Sequence, residues 1–155
     1  MKRFLFDCGT HDTIASIGVL ALRVMIGLMM LIGHGLPKLQ NYASIKEWYV
    51  PDFFPLNQMS PGVSITATIM AELGASALIV LGIATRPAAF LLGFTMVVAA
   101  FGVHGTAPWF LEPGITVSKE PALLYLIPMI AIILTGGGAF SLDAAIYKEG
   151  KRRRW

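Results

Sequence analysis

The sequence predicts an all-α fold: an integral membrane four-helix bundle with both termini cytoplasmic and a short interfacial helix in the first outer loop. Three observations carry that expectation. Of the 155 residues, 55% are hydrophobic and only 14% are charged, and the mean hydropathy is +0.69, whereas soluble domains carry about 25% charged residues. Four apolar runs are bounded by residues that start and stop helices. The basic residues gather at the two termini, as membrane topology places them.

The same observations exclude several classes. A water-soluble domain does not fit this composition. The net charge of +3 and the pI of 9.2 follow from the terminal lysines and arginines, so they signal orientation. Nucleic acid is not an expected partner; the lipid bilayer is. The single cysteine, Cys8, excludes an internal disulfide, a CxxC redox pair and a cysteine-only metal cage. Asp7, Cys8, His11 and Asp12 interrupt the stretch after Met1-Lys2-Arg3, so no signal-peptide core develops and the first apolar run reads as an uncleaved anchor. Cys8 and His11 read as flanking residues.

The first span is expected over about 13–35, capped by Asp12 or Thr13 and ended by Gly35 and Pro37. At 1.5 Å per residue it crosses the roughly 30 Å hydrocarbon core. The second is expected over about 61–83: Ser60-Pro61 supplies a cap followed by proline at the first helical position. The third, about 86–103, follows Thr85-Arg86-Pro87, and the fourth, about 119–135, ends at Gly136-Gly137-Gly138 and contains Pro128, where a kink is expected. The first connection carries Tyr42, Trp48, Tyr49, Phe53 and Phe54. Ser44 and Glu47 have capping-box spacing, which predicts a short helix through Tyr49, stopped by Pro51 and lying at headgroup level. The tight turn after Gly82 makes helices two and three antiparallel neighbours. The chain, residues 1–155, reads as one domain.

Orientation follows from the flanking cations. With the N-terminus cytoplasmic, Lys2, Arg3, Arg86, Lys148, Lys151, Arg152, Arg153 and Arg154 lie inside and Lys38, Lys46 and Lys119 outside. Eight against three favours both termini inside.

The exception is Arg23, inside the first span. An arginine at mid-membrane costs about 2.5–3.5 kcal/mol on insertion scales, so it calls for a partner. Arg23 lies roughly 14 Å above the inner end of helix one and Glu72 roughly 12 Å below the outer end of helix two. In a core about 30 Å thick their depths differ by ~4 Å, which predicts a buried Arg23–Glu72 ion pair, at the least fixing helix register. The outer end collects His34, Lys38, His104, Trp109 and Glu120. One reading is a ligand pocket for a headgroup or quinone, with histidine or lysine contacting a carbonyl oxygen. A weaker alternative is ligation of a metal or haem iron by His34 and His104. The plain structural alternative is a set of wet interfacial residues at helix ends.

Taken together, Arg23 leading into His34-Gly35-x-x-Lys38, Glu72 in helix two, Gly82-x-x-Thr85-Arg86-Pro87-Ala88, Glu120 followed by Tyr125, and the closing Gly136-Gly137-Gly138-Ala139-Phe140-Ser141-Leu142-Asp143 resemble the DoxX family of small four-helix membrane proteins. The resemblance covers nearly the whole chain. It implies a multi-pass protein of the bacterial inner (cytoplasmic) membrane and carries over Arg23, His34, Lys38, Glu72, Arg86, His104, Glu120 and Asp143. Arg86 and Asp143 are expected as a structural pair at the inner surface. Some members resemble the DoxD subunit of thiosulfate:quinone oxidoreductase, and others sit in redox complexes with soluble partners.

The chain carries no GxGxxG after a strand, no Walker loop and no CxxC, so a redox role needs a bound quinone, an external cofactor or a partner. The expected function is a membrane subunit of a quinone-linked oxidoreductase system that is not catalytic alone. The alternative is a non-enzymatic binding, anchor or assembly module for a lipid, small molecule or partner protein, including a second copy of the chain.

Overall fold

A computed structural model describes residues 9, 10, 12–47 and 49–146. Cys8, His11, Trp48 and the basic residues of both termini lie outside the described residues. Helix α1, Thr13–Gln40, is 28 residues long. Asp12 caps it, its side chain accepting from the Ala15 N–H at 2.8 Å. The expected stop at Gly35 and Pro37 does not occur. Residues Leu31–Gly35 form a π-helical turn, closed by the Leu36 N–H on the Leu31 carbonyl. The widened turn takes up the bonding mismatch that Pro37 would force on an ordinary helix, and the helix continues.

After Asn41, the short helix α2 covers Tyr42–Ile45. It starts two residues before Ser44 and ends before Glu47, because α1 runs on to Gln40 and Ser44 Oγ donates to the Asn41 carbonyl at 2.9 Å instead of capping a later turn. A 3-10 turn at Leu56–Gln58 precedes α3, Pro61–Leu81, which begins with proline as expected and passes through a π-helical turn at Met70–Ala75. Gly82, with φ of 73°, ends α3. Its N–H bonds the Ile79 carbonyl at 3.2 Å and the Ile83 N–H bonds the Leu78 carbonyl at 3.0 Å, the paired bonds of a Schellman motif. Helix α4, Thr85–Val103, ends in a third π-helical turn, Ala99–Val103. Helix α5, Glu120–Thr135, has 16 residues and runs through Pro128, so at roughly 24 Å it is the shortest of the four long helices.

Helices α1, α3 and α4 are long and apolar enough to cross a membrane, and α5 is a shorter apolar helix. Met30, Ile79, Leu92, Met96, Met129 and Ile132 form the centre of the core. Helices α4 and α5 pack most extensively, with Gly93 lying under Met129. The outward faces expose Met25, Ile32, Phe90, Ile127 and Leu134, a surface that water would penalise and lipid solvates.

One end of this bundle, the turn end, holds the α3–α4 turn and the segment after α5; the other, the loop end, holds the long connections. At the turn end the Asp143 carboxylate accepts from the Ala84 N–H (2.8 Å), the Thr85 N–H (2.8 Å) and Thr85 Oγ1 (2.7 Å). The expected Arg86–Asp143 pairing is therefore corrected: Asp143 caps the start of α4, and Arg86 reaches toward the Leu134 carbonyl at 3.4 Å. Three donors of the turn engage the carboxylate, which is itself buried.

The Arg23–Glu72 pairing is corrected as well. Arg23 donates to the Ile79 carbonyl at 2.9 Å and the Phe140 carbonyl at 3.1 Å. The positive guanidinium thus meets the carbonyl end of α3, where a cation complements the helix dipole. Arg23 and Glu72 differ in depth because the helices do not share a common inner boundary. Ser16, in the first turn of α1, already accepts from the Ala139 N–H after α5, so α1 extends past the α3–α4 turn. The close approaches fix the true register: Gly27 against Ser76 and Val80, Gly35 against Glu72 and Leu73. Arg23 is level with Ile79, seven residues or about 10 Å from Glu72 along α3.

Candidate ligand site at the loop end

Because α1 continues beyond Gly35, Lys38 arrives one turn past the contact of Gly35 with Glu72. Lys38 Nζ forms an ion pair with Glu72 Oε1. Glu72 is 2% exposed and Lys38 26%, so the pair lies between the bundle interior and its loop-end opening. A buried carboxylate without such a partner would be strongly disfavoured.

This pair borders a cavity of about 210 Å³ lined by His34, Lys38, Glu72, His104, Ser118 and Tyr125, with Met30, Met96 and Ala99 as apolar wall. The His34 and Tyr125 rings meet edge to face at a centroid distance of 5.2 Å. Burial, and then the Lys38 ammonium, hold the His104 imidazole below its usual pKa of 6.5, so His104 is neutral at neutral pH and can donate from one nitrogen and accept at the other. Tyr49, from the first connection, lies near the same carboxylate. Burial pushes its hydroxyl pKa above 10.0, against a hydrogen bond with the Thr68 side chain, and Glu72 adds to the rise.

Two polar atoms at the cavity have no hydrogen-bond partner among the described residues: Glu72 Oε2 and Ser118 Oγ. All three π-helical turns reach this cavity, through His34 from α1, Glu72 from α3 and Ala99 from α4, with His104 immediately after the last. Such turns re-aim side chains and recur at functional sites. A second cavity, about 130 Å³ between α3 and α4, is bordered by Pro51, Leu56, Leu91 and Phe94 and carries no charged side chain.

Of the five residues expected at the outer pocket, His34, Lys38 and His104 line the cavity. Trp109 and Glu120 do not. The Trp109 ring lies beneath the Lys119 ammonium, 5.1 Å from its centroid, and packs edge to face on Phe101. Glu120 accepts from the Leu111 N–H at 2.9 Å and so shapes the third connection. Glu72, Tyr125 and Ser118 enter the site instead. A signal for two of them was present: Ser118, Ala122 and Tyr125 have i, i+4, i+7 spacing, one face of a helix. His34 and His104 line the same cavity, and among the described residues no group of three or more His, Cys, Asp or Glu is placed to hold a metal ion.

The profile of the DoxX family matches residues 18–105, more than half of the chain. The chain belongs to the DoxX family. The match covers α1, α3 and α4 with His34, Lys38, Glu72 and His104, and stops before Ser118 and Tyr125, so the cavity joins the matched core of this DoxX protein to its last helix. An uncharacterised Haemophilus influenzae protein is 36% identical over 78 residues, 50% of this chain and 58% of the relative. The DoxX chain thus spans little more than half the length of that curated relative. No solved structure matches.

Proposed function

We propose that this DoxX protein is a membrane subunit of a quinone-linked oxidoreductase system of the bacterial inner membrane, acting with a protein partner that performs the substrate chemistry. In this reading both termini are cytoplasmic, α2 lies at the outer interface, and the loop-end cavity receives a quinone head group from the outer leaflet.

The observation that carries the reading is the composition of the cavity: Lys38, His34, His104, Tyr125 and Ser118 supply donors around an apolar wall of Met30, Met96 and Ala99. An oxygen-bearing ring needs that combination, apolar contact for its face and donors for its oxygens. At about 210 Å³, the space is below the roughly 300–1,000 Å³ of pockets that engulf a drug-sized ligand. It suits a single ring whose tail remains in lipid.

The test is mass spectrometry of the quinones and lipids extracted from protein purified out of its own membrane. Wild type should retain quinone at a substantial fraction of one per chain, and His34→Ala should lose most of it. A wild-type preparation free of quinone would sink the proposal. The second reading, an anchor or assembly module, draws on Phe54, 73% exposed, and Phe110, 71% exposed, which stand at the loop end as unpartnered apolar side chains. A stoichiometric co-purifying protein, with no quinone and no effect of His34→Ala, would favour it.

A further inference from the structure

We infer that the loop-end cavity prefers the hydroxyl-bearing, reduced form of its ring ligand, binding quinol more tightly than quinone, with Glu72 as the group that discriminates. This rests on the quinone reading above and specifies which form of that ligand the site is built for.

The cavity holds unfilled hydrogen-bonding capacity. A carboxylate only accepts. Glu72 is 2% exposed, and one of its oxygens is taken by Lys38. The other, Oε2, is buried and meets no donor among the described residues. Ser118 Oγ, in a residue 4% exposed, is equally unmet and lines the same cavity. Glu72 comes from the π-helical turn of α3 and Ser118 from the connection just before α5, and both line one space.

A ligand that completes this site therefore brings a donor to Glu72 Oε2. A quinone has only carbonyl acceptors, and placing one against a carboxylate oxygen opposes two lone-pair-bearing atoms in a poorly solvated space. A quinol presents an O–H to the same oxygen. Its other hydroxyl oxygen can accept from a donor such as neutral His104, Lys38 or Ser118, so the rest of the cavity does not penalise the reduced form. Leaving a buried carboxylate oxygen unmet is costly enough that a preference of about tenfold or more is expected.

The preference can be measured anaerobically by calorimetric titration of the full-length protein in lipid nanodiscs with a short-chain benzoquinol and the matching benzoquinone. Wild type should bind the quinol about tenfold or more tightly than the quinone. In Glu72→Gln the side-chain amide can donate as well as accept, and the ratio should fall to near one. Should that variant not fold, the double variant Lys38→Met/Glu72→Met removes the carboxylate without stranding the ammonium of its ion pair, and the ratio should again fall. Equal affinities in wild type, or tighter quinone binding, overturn the inference while leaving the quinone reading intact. A preference that persists in Glu72→Gln overturns the role of Glu72. Binding of neither probe overturns the quinone reading, and this inference with it.

Discussion

Arg23 has no exposed surface, and its two terminal nitrogens meet carbonyls of α3 and of the segment after α5. Arg23→Ala removes both bonds and leaves a cavity, so a loss of about 3 kcal/mol is expected, read as a lower melting temperature in detergent. Charge exchange separates the observed pairing from the expected one. Arg23→Glu should not be rescued by Glu72→Arg, whereas Lys38→Glu should recover in part with Glu72→Lys, whose partner is in contact. At the turn end, Asp143→Ala leaves two backbone donors and a hydroxyl without their acceptor and should cost about 2 kcal/mol. That Arg23 needed a polar partner was legible from its position in an apolar run. Which partner it takes depends on how far α1 extends beyond the α3–α4 turn, a quantity that periodicity does not contain.

Helices were legible because each is marked locally: Asp12, Ser60-Pro61 and Gly82 each stand at a boundary. The π-helical turns were not, since an added residue in one turn leaves the hydropathy pattern almost unchanged. The consequence was largest in α1, where the turn at Leu31–Gly35 carries the helix past Pro37 and brings Lys38 to Glu72. Deleting Ile32, whose side chain is 59% exposed, should let that turn close to ordinary pitch while both flanks keep their faces. We expect a lower melting temperature, because Pro37 then meets a turn of ordinary pitch, together with loss of quinone retention as His34 shifts away from Tyr125. Ala84, at φ of 46°, occupies the left-handed region that costs a side-chain-bearing residue about 1 kcal/mol. Ala84→Gly should therefore raise the melting temperature modestly. Gly82→Ala should lower it, because a Cβ there would stand 2.2 Å from Arg23 Nη1.

Across the whole molecule, stability should depend on pH through His104. Its pKa in the folded protein lies below 6.5, so the unfolded chain binds the proton more readily. The His104 contribution is then complete above pH 6.5 and is lost as pH falls through the lower, folded value. Melting temperature should drop on acidification below 6.5, and His104→Gln should flatten that part of the profile. Only part of the loop end was legible. His34, Lys38 and His104 end their helices on one side and could be grouped by topology, while Trp109 and Glu120 share that side but are drawn into the third connection by Lys119 and Leu111.

The segment from Gly136 to Asp143 touches every long helix. Ser16 receives the Ala139 N–H, Phe140 receives Arg23, the Asp143 N–H reaches the Gly82 carbonyl at 2.9 Å, and Asp143 holds Thr85. The four rods are thus bound together at one extremity, like staves under a single hoop, and no comparable strap joins their opposite tips among the described residues. Amide protons around Gly82 and Thr85 should exchange with solvent only when the whole molecule opens, those near His34 and His104 through smaller and more frequent excursions. Spreading of the tips about that fixed ring would give the proposed quinone its way in without disturbing the foundation.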